Sequence, residues 1–224
     1  MKQDTFIYSA TKGKKEDTLL WKSLNAHDIQ SNAYFCENNS KSLASTYNRA
    51  IDFAISNDVE NLILCHDDIT IESGDLIRNI YLHMKEFDVV GVAGTDQCNI
   101  KSPALWHMMG GGIGSGNLYG AVAHAHHKDL KSMTSFGPYP HRAVLLDGVF
   151  LAINRKVFEK VRFDETNPAG FHHYDLDYCL QCNKAEFKMG VGNILITHAS
   201  PGLSSLEDVE WNKGNKWFLN KWKK

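Results

Sequence analysis

Two hydrophobic patterns alternate along the first hundred residues: short continuous apolar runs, and longer segments with apolar positions at helical spacing. The runs predict four strands, at 5–10, 33–38, 61–65 and 88–94. The helical spacing predicts three helices between them, at 19–25, 42–57 and 74–87. Continuous apolar strands are typical of a parallel sheet that is covered on both faces. This order therefore predicts an α/β fold with an open, mostly parallel central sheet flanked by helices.

The second half of the chain is less regular at first. Residues 108–127 are glycine-rich, but the six glycines between 110 and 120 complete neither G-x-G-x-x-G nor G-x-x-x-x-G-K. They therefore predict an irregular, mobile loop over a site rather than a phosphate-binding loop. Regular structure resumes with strands predicted at 145–154 and 193–198, and with helices predicted at 155–161, capped by Asn154, and at 174–187.

Composition narrows the class of protein. Of 224 residues, 43% are hydrophobic and 22% charged, which is ordinary for a soluble globular chain, and the net charge of −2 gives no reason to expect a nucleic-acid partner. The N-terminal residues do not resemble a signal peptide, and no apolar run has the length of a membrane span. Five scattered cysteines predict free thiols in a reducing compartment, so a cytoplasmic location is expected. The Cys179–Cys182 pair is interpreted as two small core residues, with a redox motif as the alternative.

The stretch "ILCHDDITI" carries the first candidate chemistry. His66, Asp67 and Asp68 directly follow the apolar run 61–65, so they lie at the carboxyl edge of the predicted sheet, where ligands bind in open α/β folds. Two adjacent carboxylates repel each other, and a divalent cation held by oxygen ligands would neutralise them. Mg²⁺ usually completes its shell with substrate phosphates and waters, so a phosphorylated ligand is implied. The alternative is a solvated turn.

Two more residues reach the same edge in the predicted topology. His198 ends the last predicted strand, and imidazole suits Mn²⁺ or Fe²⁺ among others, although a lone histidine is more often structural. Asp175 and Asp177 open a helix but point roughly 200° apart, so they cannot share one task. Asp175 is the better candidate for a cleft, while the helix dipole would favour either acid without any function.

Three segments together resemble the family 2-like glycosyltransferases with the GT-A fold. They are "SLASTYNRAIDFAISNDVENLILCHDDITI", "LLDGVFLAINRKVFEKVRFDE" and "GFHHYDLDYCL", and the resemblance covers about residues 33–200. It implies a Rossmann-like GT-A sheet in one domain spanning 1–224. Within that domain, a nucleotide-binding half would cover about 1–100, an acceptor and catalytic half about 101–210, and a tail 211–224.

The resemblance also implies a role for each matching residue. Asp68 would bind the metal, Mn²⁺ or Mg²⁺, that bridges the nucleotide diphosphate, and Asp67 would contact the ribose or the metal. His198 matches a metal-binding histidine, and Asp175 matches the catalytic base of inverting members. His66 stands where many members carry a third acid, and Tyr174 where a glutamate is common. The nucleoside-binding edge is matched by Ser9, Ala10, Thr11 and Glu37. Asn48 matches an asparagine of the helix under the nucleotide, and Asp147 and Gly148 match the contact with the donor sugar.

The predicted function is therefore metal-dependent, inverting transfer from a nucleotide-diphosphate sugar, with a UDP-sugar expected, to a glycan or other hydroxyl acceptor. Neutralising the leaving diphosphate requires the cation, and deprotonating the acceptor requires a separate base. Two rivals stay open: a GT-A-like module that binds without catalysis, and a metal-dependent phosphohydrolase that uses the His-Asp pairs. The tail holds three tryptophans and five lysines. We expect it to pack on its own domain, with weak contact to a membrane surface as the alternative.

Overall fold

The computed structural model describes residues 4–126, 130–200 and 208–223. Thirteen strands occur among these residues: β1 Thr5–Ala10, β2 Ala33–Cys36, β3 Asn61–Cys65, β4 Ile69–Ile71, β5 Val89–Gly91, β6 Ala93–Thr95, β7 Leu118–His126, β8 Leu130–Gly137, β9 His141–Ala143, β10 Leu145–Leu146, β11 Phe150–Asn154, β12 Met189–Val191 and β13 Ile196–His198. The same residues form seven α-helices: α1 Leu19–Ala26, α2 Leu43–Ser56, α3 Leu76–His83, α4 Trp106–Met109, α5 Arg155–Phe158, α6 Tyr174–Lys184 and α7 Val209–Trp222.

The larger sheet has seven strands in the order β2-β1-β3-β11-β5-β12-β9. Strand β1 pairs in parallel with β2 and β3, as the strand–helix alternation predicted. Strand β11 enters between β3 and β5 and is antiparallel to both. The predicted open, mostly parallel α/β sheet is confirmed: β2, β1, β3, β5 and β12 run in the same direction, while β11 and the edge strand β9 run against their neighbours.

A second sheet has six strands, ordered β10-β6-β7-β13-β4 with β8 paired to β7. Two segments that the apolar pattern predicted as single strands are divided between the sheets: 88–94 becomes β5 and β6, and 145–154 becomes β10 and β11. Residues 147–149 form the turn between β10 and β11. The apolar runs are continuous because both sheets are buried here. Hydrophobicity alone therefore does not show where the chain passes from one sheet to the other.

The glycine-rich region is more ordered than predicted. Irregular structure covers about 110–117, and the prediction of an irregular segment is wrong for 118–126, which form β7; residue 127 lies outside the described residues. Strand β7 pairs antiparallel with β8 and parallel with β13. Gly120 has a φ of +94°, and a Cβ there would lie 2.1 Å from the Val92 carbonyl oxygen, so glycine permits the close approach of two backbones.

The helices begin where the sequence places capping residues. The side chains of Thr18, Ser42, Asp75 and Asn154 accept hydrogen bonds from main-chain N–H groups in the first turns of α1, α2, α3 and α5. The predicted cap at Asn154 is thereby confirmed. On α2, the apolar stripe packs against β1 and β3.

The cysteines are free, and the Cys179–Cys182 pair is buried in the core, as the sequence predicted. All five cysteines are free thiols. Cys179 and Cys182 are fully buried on α6, where burial raises the pKa of each thiol, so they serve as packing residues. Among the described residues, no helix has both the length and the apolar character needed to cross a membrane.

The C-terminal tail forms α7, which packs on the rest of the fold. Trp211 is buried, and the indole N–H of Trp222 donates to Asp177 on α6 at 2.8 Å. The Lys221 ammonium lies 2.8 Å from the same carboxylate and 2.6 Å from Asp164. The packing interpretation of the tail is therefore the one that the structure shows.

Candidate active site

Three possible metal ligands meet where β3 ends. His66 and Asp68 follow β3, and His198 is the last residue of β13; one ligand atom from each lies within 4.8 Å of the other two. Asp68 Oδ1 is 3.3 Å from His198 Nε2 and 3.9 Å from His66 Nδ1. The predicted meeting of Asp68 with His198, 130 positions apart in the chain, is thus observed.

Strand pairing explains how His198 reaches Asp68. Strand β13 is antiparallel to β4, with His198 opposite Ile69, the residue after Asp68. The main-chain N–H of Ala199 donates to the Asp68 carbonyl at 3.0 Å, which continues this pairing past the strand end. The backbone therefore holds the two side chains next to each other.

The electrostatics of this group suit a cation. Burial alone would raise the pKa of Asp68, but the His198 and His66 imidazoles outweigh it and hold that pKa below its usual range. Burial lowers the pKa of His198, but the Asp68 carboxylate outweighs it and the net pKa is raised. Burial also lowers the pKa of His66, with His198 adding to the effect and Asp68 opposing it.

Two buried atoms of this group lack hydrogen bonds. Among the described residues, Asp68 Oδ1 and His198 Nε2 have no partner in hydrogen-bond geometry. An oxygen and a nitrogen that converge without satisfying each other are expected where an ion completes the site. The donor set of imidazole and carboxylate therefore fits the divalent cation that the sequence predicted.

The second carboxylate centre lies at the turn between β10 and β11. Asp147 accepts hydrogen bonds from the Trp106 indole N–H at 2.8 Å and from the Val149 main-chain N–H at 3.0 Å. The Gly148 N–H donates to Asp175 Oδ2 at 2.9 Å. A Cβ on Gly148 would lie 2.5 Å from the Tyr174 hydroxyl and 2.7 Å from the Asp175 Cβ, so the turn can approach α6 only as glycine.

The pKa of Asp175 is raised by its surroundings. Burial and the neighbouring Asp147 charge raise its pKa to about 7, although the Gly148 N–H opposes the shift. A base is most effective when its pKa lies near the working pH. Asp177, two residues later, is fully buried and is paired with Lys221, Trp222 and Gln181 instead, so the two acids have separate tasks as predicted.

Two cavities adjoin the Asp68 carboxylate. The larger is about 590 Å³ and is lined by Asp68, Asp147, Gly148, Asp175 and His198, among others. The smaller is about 330 Å³, and Thr11, Asp67 and Asp68 contribute to its wall. Asp68 therefore belongs to both.

The remaining predicted residues are placed as follows. The buried Ser9 hydroxyl donates to the Cys65 carbonyl at 2.8 Å and so joins β1 to β3. Ala10 ends β1, and the Glu37 carboxylate accepts from the Lys15 N–H at 2.8 Å. The Asn48 amide bonds the N–H and carbonyl of Phe163, which leaves its side chain engaged in joining α2 to that loop.

Several residues around the larger cavity were not identified as functional from the sequence. They include Trp106, Phe136, Phe171, His173 and Trp211. His173 has a left-handed φ of 65° and is 4% exposed, and burial lowers its pKa to about 3. The paired histidines before the Asp175 helix were the signal that could have indicated this residue.

Comparisons with known proteins bear on the fold and the family of this chain. A search of solved structures matches 118 chains, so the fold is a recurrent one. Among them is "Crystal Structure of A197 from STIV", with 13% sequence identity, a TM-score of 0.50 and coverage of 92% of this chain and 98% of that one. At this identity the likeness concerns the fold alone. A search of curated protein sequences finds no significant match.

The family is decided by a sequence model rather than by a single relative. The model described as "Glycosyltransferase like family" matches residues 26–222, which is most of the chain. That match covers the histidine–carboxylate group, the Asp147 turn and the helix that carries Asp175. The chain belongs to the glycosyltransferase-like family.

Proposed function

We propose that this protein is a metal-dependent, inverting glycosyltransferase that moves a sugar from a UDP-sugar to a hydroxyl acceptor. The observation that carries the proposal is the presence of two separate acidic centres on one cavity. Asp68 lies beside His198, and Asp175 lies on α6 with its pKa near 7. One centre suits a cation and the other suits a base.

The two cavities beside Asp68 support a binding position for the nucleotide-sugar donor. Asp68 and His198 would hold the cation at the boundary, and Asp67 and Thr11 would face the nucleoside in the smaller cavity. When bound, the cation supplies Lewis-acid neutralisation of the diphosphate charge. Ala10 and Glu37 stay in the proposed nucleoside edge, whereas the engaged side chains of Ser9 and Asn48 give them a supporting role.

Asp175 would complete the chemistry. It accepts the proton of the acceptor hydroxyl while the acceptor oxygen forms a bond to the anomeric carbon of the sugar. The bond from that carbon to the diphosphate oxygen breaks, and its electron pair leaves with the nucleoside diphosphate. Because a single displacement occurs at the anomeric carbon, its configuration inverts. Asp147 and Gly148, in the same cavity wall, would contact the donor sugar.

The residues that line the larger cavity support an expectation about the chemical class of the acceptor. Aromatic side chains form much of its wall, including Trp106, Phe136 and Phe171. Within the described part of the chain, no lysine or arginine lines it. A fixed positive charge for an anionic acceptor is therefore missing there, and we expect a neutral acceptor, such as a sugar whose apolar face stacks on an aromatic ring.

Calorimetry tests the proposal. UDP and UDP-sugars are titrated into the protein with and without Mn²⁺, and metal-dependent binding is expected. The Asp68→Ala variant should lose that binding because it removes the carboxylate shared by both cavities. Asp52→Ala is the matched control, because Asp52 pairs with Arg162 on the outside of α2 and should not affect binding.

Absence of nucleotide binding at millimolar ligand with metal present would reject the proposal. Metal-dependent binding without transfer to any hydroxyl acceptor would instead favour the non-catalytic module. Release of inorganic phosphate without an acceptor would favour the phosphohydrolase.

A further inference from the structure

The Tyr174 hydroxyl contacts the His66 imidazole and so bears on which ring nitrogen carries the hydrogen. Tyr174 is buried at the start of α6, with its oxygen 2.9 Å from His66 Nε2 and 3.0 Å from the Gly148 carbonyl oxygen. The carbonyl can only accept, and the hydroxyl has one hydrogen to donate. Both contacts are satisfied if Tyr174 donates to Gly148 and accepts from His66 Nε2–H. The hydrogen of the neutral imidazole is then on Nε2, and the lone pair is on Nδ1.

That lone pair lies on the side of the candidate metal ligands. His66 Nδ1 is the atom found 3.9 Å from Asp68 Oδ1, and the same oxygen is 3.3 Å from His198 Nε2. Ligand atoms that share one transition-metal ion at bond lengths of 2.0–2.2 Å lie about 3 to 3.5 Å apart. The Asp68 Oδ1–His198 Nε2 distance has that spacing, the Asp68 Oδ1–His66 Nδ1 distance is a few tenths of an ångström longer, and one ligand atom from each residue lies within 4.8 Å of the other two. A small adjustment therefore brings all three onto one ion.

We propose that His66 is a third protein ligand through Nδ1, that Tyr174 is the residue that positions it, and that the resulting two-imidazole, one-carboxylate set selects a transition metal over Mg²⁺. This inference rests on the proposed function only in placing a cation beside Asp68. Imidazole nitrogen binds divalent transition metals increasingly well from Mn²⁺ to Co²⁺, whereas Mg²⁺ prefers oxygen ligands and retains its waters. Asp67 remains outside the ligand set and faces the smaller cavity.

The tautomer can be tested in metal-free protein. Long-range ¹H–¹⁵N NMR of histidine-labelled protein should show His66 with its hydrogen on Nε2, and Tyr174→Phe should give a mixture of tautomers because the accepting oxygen is gone. The opposite tautomer in the unmodified protein would overturn the inference. Tyr178→Phe is the matched control, since Tyr178 is also buried on α6 but its hydroxyl has no hydrogen bond to His66.

Metal binding tests the ligand set without any substrate. Mn²⁺ binding is followed by electron paramagnetic resonance and Co²⁺ binding by its visible absorption, with Mg²⁺ as competitor. The expected order of affinity is Co²⁺, then Mn²⁺, then Mg²⁺. Tyr174→Phe should weaken Mn²⁺ binding about 10- to 100-fold, the usual cost of losing an outer-shell partner, and His66→Ala should weaken it further. Wild-type affinity in both variants, or Mg²⁺ binding as tight as Mn²⁺, would overturn the inference.

A ligand-preserving variant guards against misfolding. His66→Asp supplies oxygen in place of nitrogen, so it should still bind metal but shift its preference towards Mg²⁺; an unchanged Co²⁺ absorption band would contradict a role for His66 in ligation. The outcomes also separate the two proposals. Metal binding as described without UDP binding would reject the proposed function alone. Metal-dependent UDP-sugar transfer with an unchanged Mn²⁺ dependence in His66→Ala would reject this inference alone.

Discussion

The surroundings of the Asp175 carboxylate raise its pKa far above that of an ordinary aspartate, as the proposed role of base at neutral pH requires. Burial disfavours its charge, the adjacent Asp147 repels it, and the Gly148 N–H restrains the shift, so that its pKa is about 7. An unperturbed aspartate would be a much weaker base. The Gly148 N–H therefore helps to position Asp175, while burial and the Asp147 charge raise its basicity.

The rate of sugar transfer should depend on pH through Asp175. Transfer should rise with pH and reach half of its maximum near pH 7, because only the deprotonated Asp175 can accept the acceptor's proton. Asp175→Asn should bind donor normally and lose transfer at every pH, as measured by product formation and calorimetry. Retained turnover in this variant would remove Asp175 from the role of base.

Stability provides an independent check on the same residue. The pKa of Asp175 is raised in the folded protein, so the folded state binds its proton more tightly than the unfolded state does. Stability from this group is therefore complete at low pH and is lost as pH rises from about 4 towards 7. At pH 8, Asp175→Asn should melt no earlier than the parent, and a lower melting temperature would contradict the assigned environment.

Sequence reasoning identified the acids at the site better than it identified the polar residues around them. Asp68 and Asp175 stand at the ends of strongly patterned elements, so their places at the sheet edge could be predicted. Asn48 could not be judged in this way, because its partner Phe163 is 115 residues away and only the tertiary fold brings them together. The same holds for the contact between His66 and Tyr174, 108 residues apart.

At the scale of elements, helix α7 is tightly fitted against the segment that leads into α6, the helix that carries Asp175. A Cβ on Gly214 would lie 2.4 Å from the Ala169 Cβ and 2.5 Å from His173 Nδ1. Asn215 accepts the Ala104 N–H at 2.9 Å, which joins α7 to the segment before α4. Helix α7 therefore forms part of the wall of the larger cavity through Trp211.

Gly214→Ala separates packing from helix propensity. Alanine in place of a helical glycine favours folding by about 1 kcal/mol, whereas overpacking costs about 1–3 kcal/mol. Because the blocking atoms belong to a buried helix junction, we expect overpacking to dominate and the free energy of unfolding to fall, as measured by chemical denaturation. Asn220→Ala on the exposed face of α7 is the control and should be neutral or slightly stabilising. A more stable Gly214→Ala protein would show that α7 is loosely seated.

The hairpin of β7 and β8 could not be predicted from local sequence patterns. Its first strand contains alanine and glycine where a strand usually carries branched or aromatic residues, so its sequence has little strand character. Its order comes from pairing with β6, β8 and β13, and these neighbours are not visible in a local window. Helices such as α2 were predicted within a residue at each end because their apolar spacing is local.

For the whole molecule, the prediction of the fold class held because strand–helix alternation is a global pattern with few topological solutions. The second sheet was not predicted, because β6 and β10 merge with first-sheet strands into single apolar runs and β7 lies in the glycine-rich region. It supplies β13 and therefore His198, and its β7 and β8 carry side chains that line the larger cavity. The strand that ends at His198 was predicted, but the sheet that holds it beside Asp68 was not.

The position of Asp68 in the walls of both cavities has a kinetic consequence. A donor held at Asp68 would complete the wall that the acceptor meets, so we expect the substrates to bind in sequence, donor first. Initial-rate measurements should then show the nucleoside diphosphate product competing with the donor but not with the acceptor. Acceptor binding of equal strength without donor, measured by calorimetry, would contradict this order. A carboxylate shared by two cavities would in this way make binding of the acceptor depend on prior binding of the sugar donor.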